Sequence, residues 1–265
     1  MTDSNPDNAS PSPNSSSSGA GLPAGSGPAG FPTRVAPPPA LIILAAVSMI
    51  AALYATFLVA PTDATLGDAQ RIFYMHVPVA LTMYLAITLV FVVSLLYLQS
   101  RNARWDEVAT AGGEMGFLFG TMVMTTGPLW AKPSWGTWWT WDARLNSFLI
   151  LWLIFVAYVM LRTYGGGAEQ VARFCAVLAI LGFIGMPITH YSVQWFRTMH
   201  PEPVIMTEGG IGAGLPGVML ATVSLGMLAA LMLFSVLFSL RLRLERQDRQ
   251  VQEMRRQLDL VEIHR

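Results

Sequence analysis

The chain has 265 residues, 53% of them hydrophobic and only 12% charged, where soluble domains carry about 25%. That deficit points to a lipid-facing protein, and a net charge of zero removes any general attraction to nucleic acid. The single cysteine, Cys175, excludes an intrachain disulfide, a Cys-based zinc site and a c-type haem attachment motif, so metal chemistry would fall to His or carboxylates.

Residues 1–38, with "NSSSSGAGLPAGSGPAG", are Ser-, Gly- and Pro-rich and too poor in bulky apolar residues to order themselves. No basic region adjoins a short apolar one, so they read as a disordered cytoplasmic leader and not as a cleaved signal peptide. Six apolar stretches long enough to cross a bilayer follow, at 39–60, 75–98, 108–130, 147–164, 172–192 and 217–240. Backbone groups in hydrocarbon must be satisfied within their own segment, so these predict an all-α, polytopic membrane protein. Residues 39–240 form the membrane domain, with a connecting loop at 131–146 and another at 193–216.

Within span three, Gly112, Gly116 and Gly120 recur every four residues, a spacing that lets membrane helices approach closely. Glu114 in the same span is either a functional group or an interfacial one. Beyond 240, the charged tail 241–265 places Leu244, Val251 and Leu258 seven apart, with Met254 and Val261 between them. It reads as a helical extension of span six with a solvated basic face, or as a docking helix.

Lys and Arg set the orientation. Twelve of the 16, including Arg34, Arg101, Arg104, Arg162, Arg173 and the tail arginines, fall on one side; Arg71, Lys132, Arg144 and Arg197 fall on the other. Both termini are therefore expected in the cytoplasm, and three features meet on the outer face. "RIFYMHVPVA" brings Arg71 and His76; "KPSWGTWWTWDARLN" brings four tryptophans with Asp142 and Arg144; "PITHYSVQWFRTMHPEP" brings His190, Arg197 and His200. Only His264 lies elsewhere.

Tryptophans anchor membrane interfaces, but five of the chain's eight lie between Trp130 and Trp141. Trp135, Trp138 and Trp139 stand at i, i+3 and i+4, which predicts a short amphipathic helix in the interface, resting on lipid or holding a flat ligand. Haem suits the combination better than lipid. Trp rings cover a porphyrin, two His from separate segments bind its iron, and Arg matches its carboxylates.

"WGTWWTWDARL" resembles the tryptophan-rich WWD signature of haem-handling proteins of cytochrome c biogenesis. Its flanks, "QRIFYMHVPVA" and "PITHYSVQWFRTMHP", resemble the cytochrome c maturation protein C family, the haem exporter CcmC, over about 40–245. The resemblance implies a protein of the bacterial inner membrane that presents haem b, bound non-covalently and transiently, at the periplasmic face. It implies loading of the haem chaperone CcmE, together with the ABC transporter subunits CcmA and CcmB and the small subunit CcmD. Carried over residue by residue, it makes His76 and His200 the iron ligands, with His190 a third candidate. Trp135, Trp138, Trp139, Trp141, Asp142 and Arg144 complete the haem-binding motif, and charge and location add Arg71 and Arg197. Phe196 and Arg197 depart from the family's usual Trp and Asn.

No nucleotide-hydrolysing motif is present. "GAGLPG", residues 212–217, fits G-x-G-x-x-G only formally, since no strand precedes it and a Pro interrupts it. The chain is therefore expected to have no enzymatic reaction of its own. A membrane electron carrier with resident haem, or a haem permease, are the alternatives.

Overall fold

The computed structural model describes residues 36–201, 206–207, 209–211 and 214–263. Most of the leader, with Arg34, and the last two residues, His264 and Arg265, lie outside them. Six long helices carry the described residues: α1 (Pro39–Tyr54), α2 (Phe73–Ser100), α3 (Ala103–Trp135), α4 (Ala143–Tyr164), α5 (Ala168–Trp195) and α6 (Gly217–Ile263). The only strands among them are a two-residue antiparallel pair, Met206–Thr207 with Gly210–Ile211. The all-α expectation holds; five of the predicted spans each fall on one helix, and 39–60 covers α1 with the π-helical turn Ala55–Val59 that continues it.

Five of these helices are long and apolar enough to cross a membrane. The exception is α3, whose composition is diluted by Asp106, Glu107, Glu114 and its glycines. It compensates by being enclosed: α2, α4 and α6 all pack on it. Its N-terminus is set by the Asn102 side chain, which accepts from the Arg104 N–H at 3.0 Å.

Lipid offers no hydrophobic drive between helices, so close packing has to hold them together. The predicted glycine stripe serves that end. A Cβ on Gly112 would meet Val90 Cγ2 of α2 at 2.7 Å, and one on Gly116 would meet Phe155 Cε1 of α4 at 2.8 Å. Gly113, which the four-residue spacing passes over, is tighter still, at 2.2 Å from Tyr158 Cε1. The fully buried Met83, Ile87, Phe119, Leu151 and Phe155 fill the space between α2, α3 and α4. Gly113→Val should overpack this seam and destabilise the protein by about 1–3 kcal/mol, read as a lower thermal midpoint in detergent. An unchanged midpoint would contradict the close α3–α4 contact.

At the end of the bundle away from the tryptophans, α6 continues well past its apolar stretch and lies against α3. Arg241 reaches Glu114 through Nε at 2.5 Å and Nη2 at 2.7 Å, so Glu114 is held in a forked pair. Arg246 pairs with Glu107 at 3.3 Å, and Arg249 pairs with Asp106. Asp106 also takes Arg162 of α4 at 2.7 Å, with both side chains close to fully buried. The tail is thus a helical extension; Arg241, Arg246 and Arg249 are partnered by acids, while Arg255 and Arg256 further along are exposed, as a solvated basic face would be. Leu244, Val251 and Leu258 are exposed.

Candidate functional site

At the tryptophan end, four of the long helices and three connecting segments surround a cavity of about 530 Å³. This falls within the range of about 300–1,000 Å³ usual for small-molecule and cofactor sites. From α2 come His76, Val77, Leu81 and Tyr84; from α3 come Met124, Pro128, Trp130 and Trp135; from α4 come Arg144 and Phe148; from α5 comes His190. Trp138 and Trp139 of the 136–142 connection, His200 with Pro201 of the last loop, and Leu66 and Gln70 of the α1–α2 connection add to the wall. His76 and, more than a hundred residues further on, His190 and His200 thus share one largely apolar chamber, and Arg144 is the one Lys or Arg among its described lining residues.

Each histidine is held by a neighbour. His76 Nδ1 lies 2.8 Å from Thr126 Oγ1 of α3. His200 Nδ1 lies 2.8 Å from the Pro201 carbonyl, and its ring meets the edge of Trp135 at 6.5 Å. In both rings Nδ1 is engaged, and among the described residues no hydrogen bond is made by Nε2. His190 packs edge-on to Tyr84 at 6.4 Å and Tyr191 at 5.0 Å. Burial, then the nearby Arg144 charge, lowers the pKa of His200 to about 4 against the opposing pull of the Pro201 carbonyl. The ring is therefore neutral at physiological pH, the form that binds a metal.

The aromatic wall differs from the predicted short interfacial helix. Trp135 is the last residue of α3, because Gly136 at φ +76° takes the left-handed conformation that ends a helix. Residues 137–142 then run non-helically into α4. This turn brings Trp138 and Trp139 to the cavity, while Trp130, one of the five clustered tryptophans but not among the predicted site residues, packs edge-on to Trp135 at 5.5 Å. Trp141 does not line the cavity; it is 77% exposed and touches Trp139 edge-on.

The charged members of the motif divide the work. Asp142 does not line the cavity. Its Oδ1 accepts from the Leu145 N–H at 3.0 Å and so caps α4. Its Oδ2 accepts from Thr140 Oγ1 at 3.0 Å and from the Met199 N–H at 3.2 Å, joining the tryptophan loop to the loop that carries His200. Asp142→Ala should lose about 1–2 kcal/mol, from the cap and this tie, whereas Asp142→Asn keeps an acceptor and most of the stability. Equal thermal midpoints for the two variants would contradict this role.

Arg144 faces the cavity and donates from Nη1 to the carbonyls of Thr189 at 2.7 Å and His190 at 2.9 Å, which fixes α4 against the part of α5 that carries His190. Arg71 is placed elsewhere than expected. The chain after α1 makes a π-helical turn at Ala55–Val59, and Arg71 Nη1 donates to the Thr56 and Phe57 carbonyls there at 2.7 and 2.6 Å. It also pairs with Asp68 and so acts as a strut beside the site. Arg197 is exposed and does not line the cavity.

Comparison with known proteins shows the family. Residues 30–257 match the family described as heme exporter protein C, CcmC. The chain belongs to the CcmC family. Among its CcmC relatives, heme exporter protein C of Bradyrhizobium diazoefficiens is 36% identical over 151 residues, 57% of each chain. That of Escherichia coli K12 is 34% identical over 152 residues, covering 56% of this chain and 61% of the relative. A ccmC-like mitochondrial protein of cytochrome c biosynthesis from Marchantia polymorpha is 33% identical over 159 residues, 60% of this chain and 67% of its own. The match thus spans rather more than half the length of the two bacterial relatives.

Proposed function

We propose that this chain binds haem b, non-covalently and transiently, in the cavity, with His76 and His200 on the iron, and passes it to the membrane haem chaperone CcmE during maturation of c-type cytochromes. The observation that carries the reading is the pairing of two histidines from separate segments, each with Nδ1 engaged, in one tryptophan-walled apolar chamber. Imidazoles of this kind are ordinary haem ligands, and indoles cover a porphyrin face.

The polar fittings of the chamber suit haem carboxylates. Trp130 and Trp139 each bury an indole N–H that meets no acceptor among the described residues. A buried donor left in that state costs about 1–3 kcal/mol, which a ligand oxygen would offset. With Arg144 lining the same cavity, these donors fit an otherwise apolar ligand bearing carboxylates. The excess of basic residues at the opposite end supports an inner-membrane orientation with the cavity on the periplasmic side. CcmA, CcmB and CcmD are the expected co-subunits, and any nucleotide hydrolysis belongs to them; this chain performs none.

The test is a transfer assay. Haem-loaded chain in liposomes, mixed with CcmE, should lose its haem spectrum as CcmE gains one. Haem retained through the assay would overturn delivery and favour a membrane electron carrier.

A further inference from the structure

The geometry points to Thr126 as the positioning residue that decides which nitrogen of His76 is offered to the cavity; this rests on the cavity being a haem site. A threonine hydroxyl has a single hydrogen. Thr126 Oγ1 lies 2.7 Å from the Met122 carbonyl, one turn back on α3, and 2.8 Å from His76 Nδ1. Were that hydrogen directed at the histidine, two oxygens would face each other at 2.7 Å with nothing between them. Directed at the carbonyl, it leaves the Thr126 oxygen as an acceptor, and His76 Nδ1 has to supply the hydrogen. Both contacts are then hydrogen bonds.

A neutral imidazole carries one N–H, so the Nδ1–H form leaves Nε2 bare with its lone pair, as iron coordination requires. A histidine free in water favours the opposite form, with the proton on Nε2. His200 reaches the same state by a different route, since a carbonyl only accepts and Pro201 therefore takes its Nδ1–H. That acceptor travels with His200 on its own loop. Thr126 belongs to another helix, so it sets the His76 ring against α3 as well as choosing its tautomer. Thr126 is absent from the cavity lining and acts only through His76.

Partners of this kind behind a metal-bound histidine typically change affinity by about 10–100-fold. Thr126→Val keeps the shape and removes the acceptor; Thr126→Ser keeps the acceptor. Nitrogen-15 spectra of the haem-free, histidine-labelled protein in detergent, with His76 assigned by its loss in His76→Gln, read the tautomer directly. The expected result is Nδ1–H in the wild type and in Thr126→Ser, with a shift toward Nε2–H in Thr126→Val. Haem affinity should fall about 10–100-fold in Thr126→Val and recover in Thr126→Ser. Nε2–H in the folded wild type, or a tautomer unmoved in folded Thr126→Val, would overturn the inference whatever haem does. The expected tautomers in a wild type that takes up no haem would instead count against the haem reading, leaving the Thr126–His76 bond in place.

Discussion

Replacing His76 and His200 together by Ala should abolish low-spin haem binding by the purified protein, and each single change should convert it to a weaker, high-spin form. The reason is geometric. His76 is fixed on α2 by Thr126 and His200 on the last loop by its own backbone and Trp135, yet both line one chamber. Removing one leaves iron with a single imidazole and an open position; removing both leaves no such pair, with His190, aromatic contact and Arg144 remaining. His190 also lines the chamber, so the single variants have a second use. A low-spin spectrum surviving in His200→Ala but not in His200→Ala, His190→Ala would assign the rescue to His190. A normal low-spin spectrum in the His76, His200 double variant would show that the iron is held elsewhere.

The largest effect on stability is expected at the other end. Asp106→Ala should cost about 3–5 kcal/mol, the range for breaking a buried ion pair by removing one partner. The Asp106 and Arg162 side chains are only 8% and 11% exposed and lie 2.7 Å apart, so the change strands the Arg162 guanidinium inside the bundle. Arg162 also donates to Tyr158 Oη at 3.1 Å, and Tyr158 in turn donates to the Ala109 carbonyl at 2.8 Å. The α3–α4 seam therefore loses order along with the hold of Arg249 on the α6 extension. Thermal unfolding in detergent measures the loss, and limited proteolysis should show the tail cut faster. Arg249→Ala, which removes a more exposed partner, should free the tail at a smaller cost. An Asp106→Ala protein as stable as the wild type would contradict the buried network.

Much of this was legible in the sequence because membrane spans announce themselves. Each of the six apolar runs lies on one long helix, the first continuing into the π-helical turn Ala55–Val59, and the glycine stripe on α3 has its predicted packing role. His76, His190, His200, Arg144 and three of the four motif tryptophans share the cavity that their placement suggested. What could not be read depends on contacts between distant segments. Arg71 looks like a ligand cation in sequence, but the carbonyls that claim it are exposed by a π-helical turn about 15 residues earlier. Thr126 is one hydroxyl among several on α3, and only the packing of α2 against it gives it a histidine 50 residues away. The spacing of Trp135, Trp138 and Trp139 suggested a helix, but Gly136 ends α3 between the first and second of them. The acids that hold the tail arginines lie more than a hundred residues upstream.

The most direct test of the haem site is low-temperature electron paramagnetic resonance, with near-infrared magnetic circular dichroism, on the wild-type protein loaded with ferric haem. Two neutral imidazoles on the iron predict a low-spin signal and the charge-transfer band of bis-histidine ligation. A high-spin signal, or a low-spin one with any other ligand pair, would contradict iron held between His76 and His200.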